Sequence, residues 1–240
     1  MREIARGAEA VLYEDKDTVI KHRLKKNYRI KELDDELRKQ RTRREASLLQ
    51  KILIPHPKLI DSDDKEKIVM EKIKGEKLRE VLDQKPELAI KIGELVAELH
   101  NHNIIHGDLT TSNMILRTQD SGIKTRKSAL LGTPKGATPT SSPSNQALTG
   151  VGVGDGDAHF FKTRSEGEIV FIDFGLSFHS EKFEDKAVDI HLFKQALNSK
   201  HFKVYDKALK GFLKGYEKAN HYHEIMQRLK EVELRGRYKH

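Results

Sequence analysis

The sequence predicts an α+β chain of two lobes, a small β-rich N-terminal lobe carrying one long helix and a helical C-terminal lobe. Three observations predict it. Short β-branched runs such as Thr18–Val19–Ile20 occur before Lys74. Residues 31–53 hold no Gly or Pro and are rich in Lys, Arg, Glu and Leu. From Leu78 onward, apolar residues recur at spacings of three and four, the repeat of a helix face.

In the N-terminal lobe, residues 1–73, Arg6–Gly7–Ala8–Glu9–Ala10 separates Ile4 from Val11–Leu12–Tyr13. It reads as a hairpin that would cover phosphates, with Gly7 in the turn; alone, that glycine fits an ordinary hairpin equally well. Thr18–Val19–Ile20 ends in Lys21, a strand delivering a lysine. Helix 31–53 follows. Glu45 sits where Arg43–Arg44 gives way to Ala46–Ser47–Leu48–Leu49, the stretch suited to approach the sheet. Glu45 is therefore the expected partner of Lys21, ahead of Glu32 and Glu36, whose surroundings are more polar. Val69–Met70–Glu71–Lys72–Ile73 ends a strand. It suits an adenine ring, with Met70 behind the base and Glu71 to Ile73 as hinge, or simply the last strand of a small sheet.

The C-terminal lobe, residues 74–234, begins after Ile73. Pro86 is placed to open a helix whose apolar face is Leu88, Ile92, Leu95, Val96 and Leu99. That helix leads to His106–Gly107–Asp108–Leu109–Thr110–Thr111–Ser112–Asn113. Met114–Ile115–Leu116 and Ile169–Val170–Phe171–Ile172 read as paired strands that bring Asn113 and Asp173 to one end of a hairpin. Between them, residues 117–168 lose all periodicity, and Thr, Ser, Gly and Pro dominate from Thr133 to Gly156. Such composition predicts a disordered insertion, which a hairpin tip tolerates because closure entropy grows slowly with loop length. Ala187, Ile190, Phe193 and Leu197 predict a further helix; 204–216 and 225–234 predict two more. Residues 235–240 read as a basic tail.

The strings at 106–116 and 170–175 supply what phosphoryl transfer from a nucleotide needs. Asp108 would orient the attacking oxygen and accept its proton, and Asn113 and Asp173 would hold magnesium ions. Lys21, held by Glu45, would grip the α- and β-phosphates. This chemistry asks for positioning and electrostatics more than covalent work. Either string alone recurs by chance; the two in order, each beside a strand-forming run, are specific. Only thirteen residues separate Gly175 from Asp189, and no Ala-Pro-Glu element follows, so little chain remains for a peptide-substrate platform. Gly107 stands where an arginine would read a phosphorylated activation loop, which argues against a phospho-switch. Water is then a readier acceptor than serine. His100, His102, His106, His221 and His223 lack partners at metal-site spacings. His106 is expected to brace the loop, and His221 and His223 to face solvent at a helix start.

The 240 residues suffice for one large domain or two small lobes with a shared cleft. Cysteine is absent, which excludes disulfides and thiolate metal sites. With no apolar run of about 18 residues and no signal peptide, the expectation is a soluble cytoplasmic protein without membrane contact. Of the formal charge of +8, most is concentrated between Lys21 and Arg44, where eleven Lys or Arg stand against four Asp or Glu. The basic helix over 31–51 and the C-terminal tail are thus candidates for contact with tRNA, a solvated helix face being the even alternative.

These residues resemble one family, the small atypical kinase/ATPase subunit of the KEOPS complex, also called the p53-related protein kinase family. The resemblance covers nearly the whole chain outside 117–168. It rests on Val19–Ile20–Lys21–His22–Arg23, Arg41–Thr42–Arg43–Arg44–Glu45–Ala46, the loop from His106 to Met114, Ile172–Asp173–Phe174–Gly175–Leu176–Ser177, Glu184–Asp185–Lys186–Ala187–Val188–Asp189 and Val232–Glu233–Leu234–Arg235–Gly236–Arg237. It implies a bilobal protein-kinase-like fold with a reduced activation segment, and ATP and Mg2+ as cofactors. It also implies work beside the threonylcarbamoyl-transferase subunit and other KEOPS subunits on the adenosine next to the anticodon of certain tRNAs. The long insertion departs from the family, whose members have a short connection there. A small-molecule phosphotransferase of the aminoglycoside-kinase type also uses H-G-D-x-x-x-x-N, but Phe174 and the lack of an acidic C-terminal pocket segment favour the first reading. A non-catalytic scaffold for tRNA and a partner is the third; salt-sensitive RNA binding without turnover would favour it.

Overall fold

Alternation along Thr18–Val19–Ile20–Lys21–His22–Arg23 makes this run the middle of a sheet, with Lys21 and Arg23 on one face. The computed structural model describes residues 1–117 and 167–237. Five strands form the N-terminal sheet: β1 (Arg2–Arg6), β2 (Ala10–Asp15), β3 (Thr18–Arg23), β4 (Leu59–Ser62) and β5 (Lys67–Glu71). Every pairing is antiparallel, in the order β1-β2-β3-β5-β4. Lys21 stands opposite Leu12 on β2 and Ile68 on β5, so neighbours on both sides hold its backbone.

Helix α1 (Lys31–Leu49) carries Glu32 and Asp34 in its first turn, where carboxylates complement the helix dipole. Thr42, Glu45, Ala46, Leu48 and Leu49 form its buried side in the last two turns. The helix ends at Leu49 rather than at residue 53 or 51. Lys51 and Ile52 both donate back to Leu48 O, and Pro55 lies just beyond. A residue preceding proline is pushed out of the helical region, and the buried side chains of Ile52 and Ile54 turn the chain inward.

The chain leaves the first sheet after Glu71 and enters a second as β6 (Gly75–Lys77), then α2 (Leu78–Val81) and α3 (Leu88–Asn101). The loop that follows is framed by β7 (Ile104–Ile105) and β8 (Met114–Arg117), and β8 pairs with β9 (Glu168–Phe171). Arg117 and Glu168 are paired strand residues, so the edges of the expected insertion belong to the hairpin; residues 118–166 lie outside the described residues. After β9 come β10 (Phe178–His179), paired with β7, and helices α4 (Phe183–Lys200), α5 (Tyr205–Tyr216) and α6 (Tyr222–Arg237). The last of these corrects the expectation of a tail from residue 235: helix α6 runs through Arg237, and Arg235 pairs with Glu184 at 2.6 Å. One apolar core joins sheet and helices, from Leu48, Ile54 and Ile68 through Ile92 and Leu99 to Phe193, Phe212 and Leu229. Among the described residues no helix is long and apolar enough to cross a membrane.

Candidate active site

β3, α1 and the turn after β9 bring four charged side chains together. Lys21 Nζ donates to Glu45 Oε1 at 2.8 Å and to Asp173 Oδ1 at 2.6 Å. Glu45 is 2 % exposed, and its other oxygen accepts from Arg23, itself 4 % exposed. Lys21, Arg23 and Glu45 are buried, where unpaired charge would be very costly, and Asp173 completes the cluster from a half-exposed position. Burial works against the Lys21 ammonium, but Glu45 and Asp173 outweigh it and hold its pKa above the usual lysine value. For Asp173, burial favours the neutral acid, yet Lys21 prevails and the carboxyl sits below its ordinary range. Glu32 and Glu36 are exposed, away from this cluster.

Arg23 is the functional residue that sequence reasoning missed. It lies two residues beyond Lys21, hence on the same strand face, and its second partner is Thr42 Oγ1 at 3.2 Å. Thr42 and Glu45 are three apart on α1, hence on one helix face. Arg23 thus grips two adjacent sites on α1 and fixes the Glu45 carboxylate that in turn holds Lys21. The period-two pattern of the strand was the signal that could have found it.

The catalytic loop is built by backbone constraints. Ile172 N donates to Asn113 O at 2.9 Å, one step beyond the Met114–Phe171 pair, so Asn113 and Asp173 flank the open end of the β8–β9 hairpin. Asn113 Nδ2 donates to Asp108 O at 3.0 Å and to Asp108 Oδ2 at 2.8 Å. Both amide protons are thus directed at Asp108, leaving the amide oxygen as an acceptor. Asp173 has φ 62°, a left-handed conformation that turns its carboxylate toward Lys21, and it also accepts from Gly175 N at 3.4 Å. Phe174 is buried, its ring 5.0 Å from that of His106.

Gly107 has φ +78°, and a Cβ there would meet Leu176 O at 2.5 Å. Glycine is required so that the loop can lie against the segment after Asp173. That segment is strapped down: Ser177 Oγ donates to His106 O at 2.7 Å, and Phe178 pairs with Ile105. Behind the loop, Asp189 accepts from His106 N at 2.8 Å and Gly107 N at 3.0 Å, and its other neighbour is His100 Nε2 at 3.3 Å. His106 also faces Ile172 O at 3.3 Å, so it braces both strings of the site.

Burial would raise the Asp189 pKa, but hydrogen bonding and charge from His100, with help from His106, hold it below the ordinary carboxylate range. A depressed folded value means stability that is present above the unfolded pKa and lost as pH falls through the folded one. The urea midpoint should therefore decline through the acid range. Asp189→Asn should lower the unfolding free energy at neutral pH by about 1–3 kcal/mol, the cost of a buried donor left without its acceptor, and flatten the acid limb. An unaltered acid limb in the variant would remove Asp189 from this account.

The remaining expected residues sit further out. Gly7 N donates to Ala10 O at 2.9 Å in the β1–β2 turn, and a Cβ there would make only an ordinary 3.7 Å contact, so the turn does not demand glycine. The tip is drawn onto α1 by Glu9, which pairs with Arg41 at 2.6 Å. Met70 lies on β5 against the core, between Val19 and Leu59. Glu71 ends β5 and pairs with Arg117 at 3.1 Å, and Ile73 lies in the crossing between the two sheets. Among the described residues no hydrogen bond or ion pair joins these hinge positions to the Lys21 cluster. The cations of α1 are engaged more than its composition suggests: Arg38 pairs with Asp34, Asp35 and Glu66, and Arg44 lies over the Phe178 ring.

The donor set fits a hard divalent cation only in part. Asp173 and Asn113 offer two oxygens, and among the described residues no three His, Cys, Asp or Glu side chains cluster as a self-sufficient metal site. That suits Mg2+, which is commonly held by one or two protein groups with substrate phosphates completing its shell.

Comparison with known proteins shows the family and the fold. A family model for the RIO domain matches residues 10–123. A KEOPS complex subunit Bud32 from Pyrococcus abyssi is 33 % identical, the match covering 100 % of this chain and 97 % of that one. A probable serine/threonine-protein kinase BUD32 homolog from Archaeoglobus fulgidus is 31 % identical over 97 % of this chain and 94 % of its own. A probable bifunctional tRNA threonylcarbamoyladenosine biosynthesis protein from Methanobrevibacter smithii is 36 % identical over 99 % of this chain, which spans only 37 % of that longer protein. Among solved structures, WaaP in complex with acyl carrier protein matches with a TM-score of 0.52 at 13 % identity, over 95 % of this chain and 82 % of that one. That likeness concerns the fold alone, which is α+β and kinase-like.

Proposed function

Because the chain belongs to the Bud32 family of KEOPS complex subunits, we propose that it is a magnesium-dependent ATPase and atypical serine/threonine kinase. It would serve as a regulatory subunit in tRNA threonylcarbamoyladenosine modification. The observation that carries this reading is Lys21 held between Glu45 and Asp173 at 2.8 and 2.6 Å. Such a lysine, fixed on a rigid strand, is preorganised to receive the α- and β-phosphates of ATP. Asp173 and Asn113 would hold Mg2+, which when bound neutralises charge developing on the transferred phosphoryl group. Asp108, tied to Asn113, would orient the nucleophile and accept its proton. Met70, Glu71 and Ile73 would face the adenine, and the Gly7 turn would cover the phosphates.

The segment from Ser177 to His179 is strapped to the loop, so little of it is free to seat an extended peptide, which favours water as acceptor, with serine or threonine a secondary one. The bifunctional relative, in which a region like this chain is joined to a longer protein, supports work beside a threonylcarbamoyl-transferase. Contact with tRNA would fall to the exposed Lys31 and Arg43 of α1 and to the C-terminal basic segment, a narrower surface than composition implies. The test is ATP hydrolysis by the full chain in Mg2+ and in EDTA, with and without the transferase partner and tRNA. Metal-dependent hydrolysis that rises with the partner is expected. Absence of metal-dependent nucleotide binding and turnover in every combination would refute the proposal.

A further inference from the structure

Three polar side chains with no part in the site as described meet beneath the catalytic loop. His201, at the C-terminal cap of α4, is fully buried. Its Nδ1 lies 2.6 Å from Asp83 Oδ1, and its Nε2 lies 2.9 Å from Thr111 Oγ1. Thr111 is also buried, 2 % exposed, and opens the 3-10 turn Thr111–Asn113 that ends in the expected metal ligand. Asp83, just beyond α2, is the outer member, its side chain 46 % exposed.

The direction of each hydrogen bond follows from chemistry. An ionised carboxylate only accepts, so Nδ1 carries a proton, and in the neutral ring Nε2 then presents its lone pair. The Thr111 hydroxyl must then donate to Nε2, which fixes both its rotamer and the turn that bears it. The catalytic loop is thereby held at two points. Asp189 takes the backbone N–H groups of His106 and Gly107 at one end, and His201 takes the hydroxyl of Thr111 near the other. Between and beside these anchors lie Asp108 and Asn113, whose mutual hydrogen bonds need both ends in place.

We propose that Asp83–His201–Thr111 is a relay that positions the metal-binding end of the catalytic loop, with His201 and Thr111 as positioning residues. Neither touches nucleotide or the reacting atoms; each acts through Asn113. The proposal rests on the ATPase reading above and adds to it the device that sets Asn113.

The deciding variant is Thr111→Val, which keeps the side-chain shape and removes the donor; Thr111→Ser restores the hydroxyl. His201→Ala exposes a buried gap and serves only if it folds. Turnover would be measured against Mg2+ concentration, and ADP binding would be measured without metal. Thr111→Val is expected to raise the Mg2+ needed for half-maximal turnover, or lower kcat, by about 10-fold to 100-fold, the usual effect of losing a partner behind a metal ligand. ADP binding without metal should be preserved, and Thr111→Ser should recover most of the loss. Asp83→Asn should be mild, because an amide can donate to Nδ1 and leave Nε2–H to bond Thr111. An active parent with an unchanged Thr111→Val variant overturns the relay alone. Equal loss of metal-free ADP binding and turnover also overturns it, since that marks general damage. A parent with no metal-dependent turnover overturns the ATPase reading and the relay with it.

Discussion

Asp108→Ala is expected to lower ATP turnover by about 100-fold to 10,000-fold, the range for loss of a general base. That corresponds to about 3–5 kcal/mol of transition-state stabilisation. The effect should fall mainly on kcat. Asn113 loses one acceptor, Asp108 Oδ2, but keeps the backbone oxygen of residue 108 at 3.0 Å, so its own oxygen stays near place. Nucleotide and metal binding should therefore weaken much less than turnover, a split that distinguishes a reacting group from a binding one. Steady-state hydrolysis with a parallel nucleotide-binding titration measures both. Parental turnover in the variant would remove Asp108 from the chemistry.

Glu45→Ala carries the largest expected cost in stability. The carboxylate is 2 % exposed and answers two buried cations. Lys21 would retain Asp173, but Arg23 would keep only the Thr42 hydroxyl. Removing one partner of a buried ion pair typically destabilises by about 3–5 kcal/mol. A drop in urea midpoint at constant slope is the expected signature. Glu45→Gln should be milder, since an amide oxygen still accepts one hydrogen bond. The double variant Arg23→Met/Glu45→Ala should recover part of the loss, because the stranded guanidinium is gone. Turnover should fall in all three, as Lys21 loses the group that aims it. A single alanine variant as stable as the parent would show that Glu45 is not the counter-ion of Arg23.

Parts of the site were legible because local pattern carried them. Asn113 and Asp173 each adjoin an apolar run, and strands of that kind pair in the one register that keeps both runs buried. Glu45 could be chosen over Glu32 and Glu36 because only its surroundings on α1 turn apolar. Arg23 was legible in principle from strand alternation, yet nothing local says that a second buried cation shares the carboxylate. The end of α1 is not marked by its charged, glycine-free run; it depends on the inward turn of Ile52 and Ile54 ahead of Pro55. The pairing of the α1 cations was not legible for a different reason. Glu9 and Glu66, which neutralise Arg41 and Arg38, lie on other elements.

By itself the sequence determined the family, the fold class and the identity of most strands and helices. Residue types demanded by phosphate handling, and periodicities of two or three to four, are local properties that survive without knowledge of the fold. Only the tertiary structure decided what holds the side chains of the candidate site in place. Thr111 meets His201 across 90 residues and His201 meets Asp83 across 118. Contacts that remote depend on how helices and sheet close on one another, and no spacing within the chain encodes that closure.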